Sequence, residues 1–185
     1  MSYALAEHDR MIAAMLMPCV VVGVDLAAAT VRVQAGDWVS AWVRWHSLAA
    51  GKARHWRAPS LNEQGVLFNP SGQAGMGTFI PGLYGDAGGQ PDNRDHVEVW
   101  RFEDGGSLVY DWQAKSYSIT LPTGTVAIKV GGTEAVVTDS AVNVTSGNIN
   151  LEGAVNIDGP LHVTQDITSA GAIIDAGGNS NHHTH

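Results

Sequence analysis

Residues 148–163 read Asn-Ile-Asn-Leu-Glu-Gly-Ala-Val-Asn-Ile-Asp-Gly-Pro-Leu-His-Val, "NINLEGAVNIDGPLHV". Ile149, Val155, Leu161, Ile167 and Ile173 stand six residues apart, and Leu151, Ile157 and Val163 follow the first three at a distance of two. In extended backbone, residues i and i+2 share a face, so each unit offers one or two aliphatics on one side and then turns through Gly, Asn, Asp or Ser. Val126, Ile128 and Val130, then Val142 and Val144, extend the same short-period pattern upstream. Short strands repeating at a fixed small period are the mark of a stacked β-helical rod.

Two rods fit a hexad. A single-chain left-handed β-helix needs three hexads per coil, so this tail gives only two or three coils; that form points to an acyltransferase-like enzyme. The other solution winds three identical chains together, each donating its aliphatic stripe to a shared axis. One chain cannot bury the stripe by itself.

Charge and aromatic content divide the 185 residues into two regions. Residues 1–101 carry eight of the ten Lys and Arg with nine acids, whereas residues 102–185 carry Lys115 and Lys129 against nine acids. The second region therefore holds −7 of the net −8, and no aromatic residue follows Tyr117. Composition alone sets a boundary within 102–122. The acidic balance argues against a general nucleic-acid binder, which would present a basic face. No stretch has the apolar length of a membrane helix, and the apolar run near Met11–Leu16 lacks a signal-peptide pattern, so synthesis in the cytoplasm is expected. The one cysteine, Cys19, excludes an internal disulfide and is expected to be a buried thiol.

Upstream of the boundary, Ser2 to Met17 reads as a short helix stopped by Pro18, either packed on its own domain or docking a partner. From Cys19 the period changes to two. "CVVVGVD", "TVRVQ", "WVSAWVRW", "QGVLFNP" and "GTFIPGLYG" read as five strands of an OB-type barrel. Trp42, Trp45 and Trp56 with Arg44, Lys52, Arg54 and Arg57 raise a stacking surface for nucleic acid, against which the plainer expectation is that the aromatics fill the barrel or an interface. Asp95 to Leu121 alternates again around the hairpin signal Asp104-Gly105-Gly106 and reads as an antiparallel connector.

The stretch "HWRAPSLNEQGVLFNPSGQAGMGTFIPGLYGD", then "FEDGGSLVYD", a Val/Ile/Thr/Gly/Asp repeat and a terminal His-x-His resemble the baseplate assembly protein V family, the central spikes of contractile phage tails and R-type pyocins. The resemblance covers essentially the whole chain. It implies a mainly β protein divided into an N-terminal helix (1–18), an OB-type barrel (19–90), connector strands (91–122), an intertwined trimeric triple-stranded β-helix (123–178) and a metal-bound apex (179–185). It further implies a homotrimer seated on the tail hub through helix and barrel, in a phage virion baseplate or a tail-like bacteriocin. Its needle pierces the target outer membrane on sheath contraction, and nucleic acid has no part in it. In such spikes the apex holds an iron ion bound by His-x-His from each chain.

The terminal residues suit that reading. His183 and His185 lie two apart and point to one side of an extended segment, while His182 points to the other. On a three-fold axis two imidazoles become six, an octahedral shell for Fe, Ni or another late divalent metal, and further axial ions are left open; the choice of iron rests on the resemblance. The expected protein is not an enzyme. Some contractile-tail spikes carry a lysozyme domain, but the connector is too short for one, and Glu98, Glu103, Asp104 and Asp111 read as a solvated face rather than a catalytic pair. The alternatives are a trimeric β-helical adhesin or fibre and, behind it, the left-handed β-helix acyltransferase.

Overall fold

The structure is a computed structural model and describes residues 3–171. It divides into two units, Met1–Pro122 and Thr123–His185.

The first unit begins with helix α1 (Tyr3–Ala14), followed by strands β1 (Leu16–Asp25), β2 (Thr30–Ala35), β3 (Trp38–Val39), β4 (Val43–Trp45), β5 (Gln64–Phe68) and β6 (Thr78–Leu83). β1 pairs with β2 and β5, β5 with β6, β6 with β4, and β4 with β2. These pairings close a five-stranded ring whose one parallel contact is β4 with β6. Closure removes the sheet edges, and the ring order is that of an OB barrel. Alternation does the rest: Cys19 and Val21 from β1, Val31 and Val33 from β2, Val43, Leu67 and Phe79 all turn inward and are buried. Burial pushes the Cys19 thiol up to about 11, so it packs as a small apolar group. Gly65 faces Phe79 so closely that a Cβ there would overlap the ring.

Two local expectations change in the folded chain. "WVSAWVRW" is not one strand but two, β3 and β4, both paired with β2. Ser40 breaks it: its buried hydroxyl accepts from the Val33 N–H at 2.9 Å and donates to the Ala41 carbonyl at 2.7 Å. A side chain thus replaces a ladder bond, which is how serine competes with regular structure. Pro18, expected to stop the helix, lies inside β1 opposite Val66. There β1 is paired on one side only, because its contacts with β2 begin at Val20, so a residue without an N–H is tolerated.

The helix ends instead at Ala14, through a residue 55 positions away. Asn69 is fully buried, donates from Nδ2 to the Ala14 carbonyl at 2.8 Å, and donates its backbone N–H to the Met15 carbonyl at 2.8 Å. A helix leaves its last carbonyls unpaired, and Asn69 supplies the missing donors. The chain then makes two 3-10 turns, Pro70–Gly72 and Ala74–Met76. Gly72, at φ 67°, lies so close to the Met11 backbone that a Cβ would collide with it. Glu7, Met11 and Ala14 form the half-covered side of α1, while Ile12, two-thirds exposed, lies on the other.

A three-stranded antiparallel sheet completes this unit: β7 (Val97–Arg101), β8 (Ser107–Asp111) and β9 (Ser116–Thr120). Its first turn is the expected hairpin. Asp104 accepts the Gly106 N–H at 2.9 Å and Gly105 adopts φ 88°. Asp111 builds the second turn, accepting the Ala114 N–H at 2.8 Å and the Gln113 N–H at 3.0 Å, with Arg94 at 3.1 Å on its other oxygen. The Ala114 N–H, with the other donors and the charges of His96 and Arg94, holds the Asp111 carboxyl below its ordinary 3.8.

The second unit opens with an antiparallel meander, β10 (Val126–Val130), β11 (Thr133–Val137) and β12 (Val142–Thr145). β11 lies outside the aliphatic groups read from the sequence, since Thr133, Glu134 and Ala135 dilute its pattern. No further strand is assigned among the described residues after Thr145, and no described residue of this unit is buried.

Two outcomes follow for the first unit. Gly72→Ala forces an L side chain into a left-handed position against Met11 and should destabilise the barrel by at least about 2 kcal/mol in denaturant melts, against about 1 to 2 kcal/mol for Asn69→Ala. Asp111 is depressed in the folded state, so the unfolded chain takes up its proton first as the pH falls. Its contribution is complete above the unfolded value near 4 and is lost as the pH drops through the folded value. Melting temperature measured between pH 6 and pH 3 should fall more steeply for the wild type than for Asp111→Asn.

Candidate functional site

The surface that stands out is the hexad stripe. Ile149, Leu151, Val155, Ile157, Leu161, Val163 and Ile167 are between 43% and 72% exposed. Seven aliphatic side chains at a spacing of six and two, none of them buried, form a hydrophobic face without an interior. Covering each from this half-exposed state is worth about 1 kcal/mol, so a partner that covered all seven would gain several kcal/mol per chain. The turns between the units are set by glycine: Gly153 and Gly159 adopt φ 125° and 135°, which side-chain-bearing residues avoid. Gly147, Gly153, Gly159 and Gly171 stand in one hexad register, a second period that the sequence reading of the aliphatics passed over.

His183 and His185 lie outside the described residues, as do His182 and Ile173. Among the described residues no group of three or more His, Cys, Asp or Glu is placed to hold a metal ion.

The aromatic and basic residues of the barrel do not form one platform. Trp45 packs against the core and meets Trp56 at 5.4 Å between ring centroids, tilted by 59°. Trp42 instead lies beside Gly23 and under Arg32, whose guanidinium carbon is 6.0 Å from its ring centroid. Arg57 is engaged by Glu63 at 3.1 Å, and Glu63 also accepts the Ser60 N–H at 2.9 Å, so this carboxylate shapes the loop before β5. Arg44 stands in β4 opposite Thr30 and Thr78, and Lys52 and Arg54 are exposed in the loop that follows.

The acids of the connector have structural duties. Asp104 and Asp111 hold turns, and Glu98 accepts the Trp100 indole N–H at 3.1 Å. Glu103 is exposed beside the hairpin tip. The loop and strand around β5 carry several of the contacts that shape the barrel. Within "LNEQGVLFNPSGQAGMG", Glu63 fixes the loop, Leu67 fills the core, and Asn69 and Gly72 seat the helix.

Comparison with known proteins matches both units. Residues 17–84 match the family described as the type VI secretion system/phage-baseplate injector OB domain. Residues 98–169 match the Gp138 beta-helical trimerization domain. The spike protein of Escherichia phage P2 is 29% identical over 117 residues, which cover 63% of this chain and 55% of that protein, so the match spans about half the length of that relative. The match to the trimerization domain begins within β7, so it takes in nearly all of the connector sheet as well as the repeat. The chain is thus mainly β, with a region similar to the injector OB domain followed by a region similar to a β-helical trimerization domain, and it is similar to a phage spike protein.

Proposed function

We propose that this protein is the structural central spike of a contractile tail, a homotrimer whose C-terminal halves wind into a needle that is driven through the outer membrane of a target bacterium. The observation that carries the reading is the exposed hexad stripe within a region similar to a trimerization domain. A three-fold axis buries the same stripe three times and leaves the acidic and Ser/Thr/Asn side chains outward. The function is mechanical and needs no covalent chemistry. The helix and barrel seat the trimer on the tail hub, and the assembly resides in the baseplate of a virion or of a tail-like bacteriocin.

His183 and His185 of each chain are the residues that would hold an apical ion, proposed as one iron per trimer. The donor set fits: two imidazoles separated by one residue are a weak site in one chain and a six-nitrogen shell in three. A bound ion would tie the His183–His185 segments of three chains together.

Native mass spectrometry of the untagged protein should read a trimer carrying one metal ion. A monomer would overturn the spike reading and return the tail to a single-chain rod. Val155→Asn with Leu161→Asn places six amides per trimer in the stripe, at about 1 to 3 kcal/mol each, and should yield monomers in sedimentation velocity with the barrel still folded. His183→Ala with His185→Ala should keep the trimer, lose the ion, and shorten protease survival of the C-terminal peptides. Unchanged metal content in that variant would remove the apex site.

A further inference from the structure

The segment from β4 to β5 is locally basic in an acidic chain. From Trp38 to Asn62 there is no acid, and Arg44, Lys52, Arg54 and Arg57 supply four of the ten Lys and Arg of a chain whose net charge is −8. Arg57 is engaged by Glu63, whereas Arg44, Lys52 and Arg54 enter no ion pair among the described residues. The loop that holds Lys52 and Arg54 is tied at its base. The His55 N–H donates to the Ala49 carbonyl at 2.9 Å, Ala50 and Arg54 form an antiparallel bridge, and the Ser47 hydroxyl donates to the His55 carbonyl at 2.6 Å. Trp56 packs on Trp45, and the His55 ring meets Trp100 of β7 edge-on, 6.4 Å between centroids. The loop is therefore anchored to the barrel on one side and to the connector sheet on the other. Its tip, Ala50-Gly51-Lys52-Ala53, is small and exposed, and nearby Leu48 is 81% exposed.

We infer that the Ser47–Arg57 loop is a contact for the phosphate-bearing surface of a membrane, met once the needle has entered its target. The inference rests on the spike reading above. Clustered Lys and Arg are drawn to an anionic surface even when the whole molecule carries the same sign as that surface. Leu48 and the 62%-exposed Trp56 beside these cations suit a lipid interface, where an aliphatic chain enters below the headgroups and an indole stays at their level. Nucleic acid fits less well, because Trp45 and Trp56 are tilted by 59° and Trp42 lies apart under Arg32, so the bases would find no stacking platform. An acidic protein surface would pair with the cations but leave Leu48 in water. Contact between His55 and Trp100 sets the loop beside the sheet from which the chain passes into the second unit, the part read as the needle. Three copies of the loop in a trimer would act together, so weak single contacts reinforce one another.

Co-sedimentation of the full-length protein with vesicles tests this, with equimolar phosphatidylcholine and phosphatidylglycerol set against phosphatidylcholine alone. A chain of net −8 is repelled as a whole by the anionic vesicles, so binding to them reports a local patch. The wild type should bind the mixed vesicles and release them several-fold as salt is raised. Lys52→Gln with Arg54→Gln should weaken binding at least ~tenfold with the barrel melt unchanged, and Leu48→Ser should weaken it several-fold at constant charge. Lys115→Gln with Lys129→Gln removes the same charge elsewhere and should leave binding intact. Sedimentation velocity on the same sample separates the loop from the spike. A trimer that ignores the mixed vesicles, or binds them equally without Lys52 and Arg54, would overturn the membrane contact, leave the spike in place and point to an acidic protein as the partner of the loop. A monomer whose vesicle binding needs Lys52 and Arg54 would support the loop and overturn the trimer. A monomer without vesicle affinity would overturn both.

Discussion

The described residues of the second unit include many aliphatic side chains, but none of them is buried. Seven of them, placed by a six-residue repeat, stay at least 43% exposed because a short segment with one or two aliphatics followed by a glycine turn can form a face but cannot cover it. A single chain of this kind gains too little burial to offset the entropy of ordering it. Everything else in the molecule is consistent with supplying that cover from outside: the acidic, aromatic-free composition of the repeat, the meander of three strands that leads into it, and a region similar to a trimerization domain.

The barrel obeys the opposite rule. It closes its own ring, buries Val21, Val31, Val33, Leu67 and Phe79 completely, and needs no partner for its core. Its distinctive feature is the attachment of α1. Asn69 satisfies the helix C-terminus from across the domain, and Gly72 allows the backbones to approach closely. The Asn69 side-chain oxygen has no partner among the described residues, although the atom is buried. A buried unsatisfied carbonyl is a cost that the two bonds on the amide side must outweigh. The helix is therefore held by polar contacts at one end rather than by an apolar seam, since none of its residues is buried.

Between these regions, the connector sheet shares features of both. Its turns are fixed by its own carboxylates, Asp104 and Asp111, and one face is partly covered by its own unit. Its other face presents Trp100, Tyr110 and Tyr117 to solvent, as the repeat presents its aliphatics. The connector sheet and the repeat thus both leave apolar side chains that the chain itself does not cover.

Much of this was legible in the amino-acid order because it depends on short-range periodicity. Period two located the barrel strands, the hexad located the repeat, and Asp104-Gly105-Gly106 located a hairpin whose glycine takes φ 88°. His183 and His185, expected from their spacing to share one side of an extended segment, lie outside the described residues. What the order could not reveal depended on contacts distant in sequence. Pro18 looked like a helix stop, but the helix ends at Ala14 because Asn69 meets it, and the proline fits β1 where that strand has one neighbour. "WVSAWVRW" looked continuous, but Ser40 bonds Val33 and divides it. Sequence by itself determined which residues are apolar and at what period. Only tertiary structure decided which of those faces are covered within the chain and which are left open, because burial is a property of what lies opposite, and no residue carries that information alone.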